Sequence, residues 1–121
     1  MSNLNTIEIK AFVPAKDFDL SKAFYADMGF TLASDTDGVA YFHHGSSSFL
    51  LQDFYQKSSA ENFMMHMLVE DVYCWHQSIK DSRIADKYKV KISEVTQQPW
   101  GMLEFVVFDP SGVLWRFAQN V

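Results

Sequence analysis

From Thr6 to Val13 apolar and polar residues alternate, a period of two that predicts a strand, and Pro14 ends it because proline gives no N–H to a ladder. Asp17, Asp19 or Ser21 then offers a helix cap, after which Leu20, Phe24, Tyr25 and Met28 recur at helical spacing. Gly29 falls where a helix closes in the left-handed conformation, and Phe30 starts the next extended stretch. Three short strands are predicted from there: Phe30 to Ser34, Val39 to His43 and Ser48 to Gln52. The turn sequences Asp35-Thr36-Asp37-Gly38 and Gly45-Ser46-Ser47 separate them.

After a polar linker, Ser58 to Asn62, the order begins again. Phe63 to Val69 reads as a strand, and Glu70 and Asp71 open a helix carrying Val72, Trp75 and Ile79. Lys91 to Val95, Leu103 to Phe108 and Val113 to Ala118 read as three further strands. Phe12-Val13 leading to Asp17 is answered by Leu68-Val69 leading to Asp71. The hairpin from Val39 to Gln52 is answered by the one from Leu103 to Phe117. The reading is an α+β chain with one domain over residues 1–121, made of two βαβββ modules at about 5–55 and 62–119. Two copies are too few for an open repeat array, so a pseudo-twofold pair sharing a concave surface is expected.

Composition narrows the function. The 121 residues include eleven Phe, five Tyr and three Trp, enough for a packed core and for rings left over to line a cavity or an interface. A formal net charge of −5 argues against a phosphate-backbone partner, since nucleic-acid binding needs clustered Lys and Arg and only Lys87, Lys89 and Lys91 cluster here. The lone Cys74 excludes an internal disulfide framework and fits a reducing compartment. Near a helix N-terminus its thiol invites a reactive reading, although packing is the plainer role. No apolar run reaches the ~20 residues of a membrane span, and Met1 to Lys10 lacks the order of a signal peptide. A cytoplasmic protein with no membrane or nucleic-acid partner is expected.

The segment from Asp19 to Tyr25 with Met28-Gly29-Phe30, and the tail from Gln98-Pro99-Trp100-Gly101 through Asp109-Pro110-Ser111-Gly112 to Trp115-Arg116-Phe117, resemble the vicinal-oxygen-chelate superfamily of glyoxalases, dioxygenases and bleomycin-resistance proteins. Phe49 to Tyr55 adds to the likeness with the bleomycin-resistance branch. The resemblance covers nearly the whole chain. It implies two βαβββ modules forming an incomplete mixed β-barrel around a ligand cavity, often completed across a homodimer.

Metal-dependent members of that superfamily converge His, Gln or Glu ligands on the cavity. At the matching positions this chain carries Lys10, Met64 and Arg116, with Gln52 the one plausible oxygen donor. No metal, no cofactor and no catalytic residue is therefore expected. His43, His44 and His66 are the residues from which a displaced metal site would have to be built, although His43 and His44, being adjacent, point to opposite faces of a strand. His76 reads as a surface residue.

Lys10 and Arg116 are instead candidate anchors for an anionic group, or, for Arg116, one half of an ion pair with Glu8, Glu104 or another carboxylate. The candidate ligand-binding residues are Trp100, Phe54, Tyr55 and Phe42 as stacking rings, with Gln52, His66, Glu104, Arg116 and Lys10 as polar partners. The leading reading is a metal-independent binding protein that sequesters a partly aromatic or cationic small molecule, such as a bleomycin-like drug, in a dimer groove. Two others stand beside it: a lyase, isomerase or dioxygenase with a rearranged metal site around His66 and Gln52, and a homodimer with no small ligand.

Overall fold

The computed structural model describes residues 2–121; Met1 lies outside them. The first module contains β1 (Phe12–Pro14), α1 (Phe18–Met28), β2 (Thr31–Thr36), β3 (Val39–His44) and β4 (Ser47–Gln52). A one-turn helix, α2 (Lys57–Ala60), occupies the expected linker. The second module contains β5 (Met64–Leu68), α3 (Val72–Asp81), α4 (Ile84–Tyr88), β6 (Thr96–Gln97), β7 (Met102–Phe108) and β8 (Leu114–Asn120).

The two modules fold by the same rules. Their strands form separate four-stranded sheets in the orders β1-β4-β3-β2 and β5-β8-β7-β6. In each the first strand runs parallel to the last, and the remaining pairs are antiparallel. Each main helix starts with the same device: Asp17 accepts from the Leu20 N–H, and Asp71 from the Cys74 N–H, which satisfies an amide that the helix itself leaves unpaired. Helix α1 ends as expected at Gly29, whose φ of 117° is open to a residue without Cβ. Asp37 and Gly38, both at positive φ, make the tight turn between β2 and β3.

Helix α1 packs on the first sheet and α3 on the second, so alternate strand residues are buried on that side. Phe42, Phe49 and Leu51 are buried in one sheet, Phe105, Trp115 and Phe117 in the other. Tyr25 of α1 meets Phe49 and Trp115 ring to ring. Its hydroxyl donates to Asp109 at 2.5 Å and accepts from Trp115 Nε1 at 2.8 Å. Asp109 also accepts from the Ser111 and Val113 amides, so the Asp109–Gly112 turn is tied to the helix of the other module. Burial pushes the Asp109 carboxyl up from its ordinary value.

Three expectations are corrected. The alternation from Thr6 to Val13 forms a ladder only at Phe12–Pro14. Residues 2–11 run outside any ladder, with Ile7 and Ile9 almost wholly exposed, because no sheet face of this chain receives those side chains. Lys91 to Val95 supplies only an isolated bridge, Ile92 to Val107. There the Ser93 carbonyl accepts from His76 of α3 and the Ser93 hydroxyl accepts from the Val106 amide, side-chain bonds that stand in for further ladder pairs. His76 is accordingly buried, not on the surface. The last two strands extend to Phe108 and Asn120. Among the described residues no helix is long and apolar enough to cross a membrane.

Candidate functional site

Strand alternation leaves the faces of both sheets opposite the helices open. On β8, Trp115 is buried against Tyr25 of α1 and Phe117 against Trp75 of α3, so Arg116 between them projects to the open side. The register sets it beside His66 of β5 and Val106 of β7. Its guanidinium carbon lies 5.8 Å from the centre of the Trp100 ring. Nη1 approaches Met64 Sδ at 3.9 Å, and Nε lies 3.3 Å from Glu104 Oε1.

Glu104 is the pivot of this group. It sits on β7 with only 3 % of its surface exposed, and its Oε2 accepts the Trp100 indole N–H. Its Oε1 and Arg116 Nε face each other without the alignment of a hydrogen bond, and neither has another partner. Trp100 itself stands at the tip of the β6–β7 hairpin. Gly101 at φ 81° closes the turn, and the Gln98 amide donates to the Met102 carbonyl. Trp100 as a whole remains 57 % exposed. A large ring in solvent, held by a buried carboxylate under a planar cation, is a stacking platform already fixed in orientation.

The open face of the first sheet holds a second group. Glu8 accepts from Lys10 at 2.6 Å, from Tyr41 and from Ser48. The Lys10 ammonium also lies 5.1 Å from the Tyr41 ring centre. Those donors, Lys10 foremost, hold the Glu8 carboxyl down to about 2. Lys10 is thus engaged by a neighbouring carboxylate, as Arg116 is by Glu104. Tyr41 and Ser48 escaped the sequence reading, although the alternation that buries Phe42 and Phe49 already assigned both to the open face.

The remaining candidates are scattered. Phe42 is fully buried and stacked on Phe49, so its place among the stacking rings is corrected: its strand parity turns it into the core. Phe54 is 53 % exposed just beyond β4. Tyr55 is half-buried beneath the Lys16 ammonium, at 5.5 Å. Gln52 is half-buried at the end of β4, beside Pro14 and Val39. Trp100 and the Phe54–Tyr55 pair lie beyond the ends of strands in different sheets. Cys74 is exposed, and its thiol donates to Asp71. That carboxylate pushes the thiol up, the opposite of what a nucleophile needs.

A divalent ion does not fit the positions where metal-dependent members of the superfamily hold one. Lys10 and Arg116 bring positive charge there, Met64 a thioether, and Gln52 a single amide oxygen. The histidines do not make up the deficit. His43 faces Tyr41 on the open side of β3, His44 packs edge-on against Trp75, and His66 is exposed on the other sheet. Among the described residues no three His, Cys, Asp or Glu side chains gather as a metal site would require.

The family model for the Glyoxalase/Bleomycin resistance protein/Dioxygenase superfamily matches residues 4–117. The chain belongs to that superfamily. Its fold is also that of solved members. A bleomycin-binding protein in complex with bleomycin superposes with a TM-score of 0.81 at 22 % identity, over 96 % of this chain and 100 % of that one. The bleomycin-binding protein of Streptomyces verticillus, complexed with copper(II)-bleomycin, gives 0.81 at 20 % identity, over 98 % and 100 %. A bleomycin resistance determinant encoded on the transposon Tn5 gives 0.77 at 21 % identity, over 95 % and 98 %. No curated protein matches the chain by sequence. At these identities the superfamily likeness is one of fold, two sheets each with its helices and not closed into a barrel.

Proposed function

We propose that this member of the superfamily is a cytoplasmic, metal-independent binding protein. It sequesters a planar, partly aromatic or cationic small molecule against Trp100, in a groove that a second copy of the chain completes. The observation that carries the reading is the exposed indole of Trp100, fixed by buried Glu104 and covered on one side by Arg116. Stacking on such a ring contributes about 1 kcal/mol beyond the area buried. A net charge of −5 favours approach of a cation. Solved structures of the same fold include proteins named for binding bleomycin, which makes a drug of that type, and with it antibiotic resistance, the form of this function to test first.

Surface area supports the second copy. The chain exposes 7594 Å², whereas a compact monomer of 13.9 kDa is expected to expose about 6,700 Å². The excess of about 900 Å² goes with the extended arm at residues 2–11, a segment that a second copy of the chain would cover. Leu4, Ile7, Ile9, Phe12, Met64 and Leu68 are among the large apolar side chains left in solvent on the arm and the open faces.

The test is calorimetric titration of bleomycin into the wild-type protein and Trp100→Ala. The expected result is measurable binding that weakens at least tenfold in the variant, with the variant still folded at the assay temperature by circular dichroism. Wild-type protein that leaves bleomycin and simpler planar cations unbound, or equal affinity in both proteins, sinks the reading.

A further inference from the structure

Resting on that reading of the site, we propose that Arg116 is a stand-in for the ligand. It occupies the place above Trp100 and beside Glu104 that a planar cation bearing N–H donors takes when it binds, and it must swing aside to admit one. The ligand class that follows is a guanidinium, an amidinium or a protonated amino-heteroaromatic ring.

The geometry supports displacement over anchoring. Glu104 is 97 % removed from solvent by its 3 % exposure, and it is held on a central strand by its bond to the Trp100 indole, so it cannot follow a departing partner. Arg116 is 29 % exposed and carries its charge on a long flexible stem that reaches water easily. Its hold on Glu104 is also incomplete. At 3.3 Å the Nε and Oε1 atoms are close but misaligned, and each is a buried polar atom without a hydrogen bond. A buried carboxylate oxygen left in that state gains when a better-placed N–H donor arrives.

The face of Trp100 under Arg116 already holds a planar cation at 5.8 Å, so the pocket's own occupant defines what it accepts. The other side chains beside the guanidinium, Met64 and His66 on β5, offer no second carboxylate to retain it. Because the resident group must leave first, the wild-type affinity is reduced by the fraction of molecules in which the place is vacant.

The experiment is titration of phenylguanidinium, and separately bleomycin, into the wild type, Arg116→Ala, Arg116→Met and Arg116→Ala/Glu104→Gln. Arg116→Met retains an unbranched stem against Met64, so it keeps the test valid if the alanine variant does not fold. Phenylguanidinium is expected to bind either single variant about tenfold more tightly than the wild type, and this gain is expected to vanish in the double variant. Equal or weaker binding by folded Arg116 variants overturns the proposal, and so does a gain that survives Glu104→Gln. If bleomycin binds the wild type and Trp100→Ala abolishes it while the Arg116 variants are unchanged, the binding function stands and the displacement fails.

Discussion

The open faces of the two sheets carry the same three-part arrangement with opposite consequences. On the first, Glu8 holds Lys10 over Tyr41 and accepts from the tyrosine hydroxyl. On the second, Glu104 faces Arg116 above Trp100 and accepts from the indole N–H. Glu8 lies on a solvent-exposed arm and is satisfied by three donors, so water competes for every bond and the group amounts to a latch that lays the arm on its sheet. Glu104 lies on a central strand out of solvent with one oxygen lacking an aligned donor. A carboxylate with all its partners fixes a segment. One buried a partner short leaves a demand that a ligand can meet.

Removing each carboxylate gives the largest separation. Glu104→Ala empties a buried position on β7 and leaves the Trp100 indole N–H without its acceptor, and is expected to destabilise the fold by about 2 kcal/mol in urea denaturation. Glu8→Ala is expected to leave the denaturation midpoint where it was. Equal losses in both variants would erase the distinction between latch and site.

The arm offers the next test. Its two most exposed apolar side chains, Ile7 and Ile9, alternate with Glu8 and Lys10, so the latch turns the hydrophobic side outward. If that side meets a second copy, Ile7→Asp/Ile9→Asp should convert a dimer to a monomer of 13.9 kDa by light scattering, with the far-ultraviolet spectrum intact. A variant that stays dimeric would place the interface on the open sheet faces alone.

Much of this was legible in the sequence, and the parts that were not share a cause. The helix starts, narrowed to Asp17, Asp19 or Ser21 and to Glu70–Asp71, the stop at Gly29 and the places of the hairpin turns are local chemistry and could be read from the chain, although β2 runs on through Asp35 and Thr36 of the first turn sequence. The extent of β1 was not legible, because a period of two says that residues 6–13 alternate but not that a partner strand exists beside them. Helix α4 has five residues and buries only Ile84 and Tyr88, too little to signal a helix. Arg116 and Glu104 were each nameable from the chain. Their pairing, and its imperfect alignment, depend on how the β7–β8 register and the Trp100 turn meet in space. Phe42 failed for a simpler reason, since its neighbours Tyr41 and His43 carried the open-face parity that excluded it from the site.

The smallest effect belongs to pH and bears on the latch alone. The Glu8 carboxyl is held at about 2, below its ordinary 4.5, by Lys10, Ser48 and Tyr41. A depressed carboxyl contributes its full share above the unfolded value and loses it as pH falls toward the folded one, so the latch should be intact above pH 4.5 and loosen progressively below it. Asp109 works in the other direction. Burial raises its carboxyl above the ordinary 3.8, so acid does not remove a favourable charge there and the tie between the modules persists while the arm is released. The nuclear magnetic resonance shifts of residues 7–10 and of the Tyr41 ring are therefore expected to move toward unstructured values between pH 4.5 and 3, while the Ser111 and Val113 amides bound to Asp109 keep their protection from hydrogen exchange. Simultaneous loss at both places would mean that the arm is bound into the same cooperative unit as the core, and that its exposure in the single chain does not make it separable.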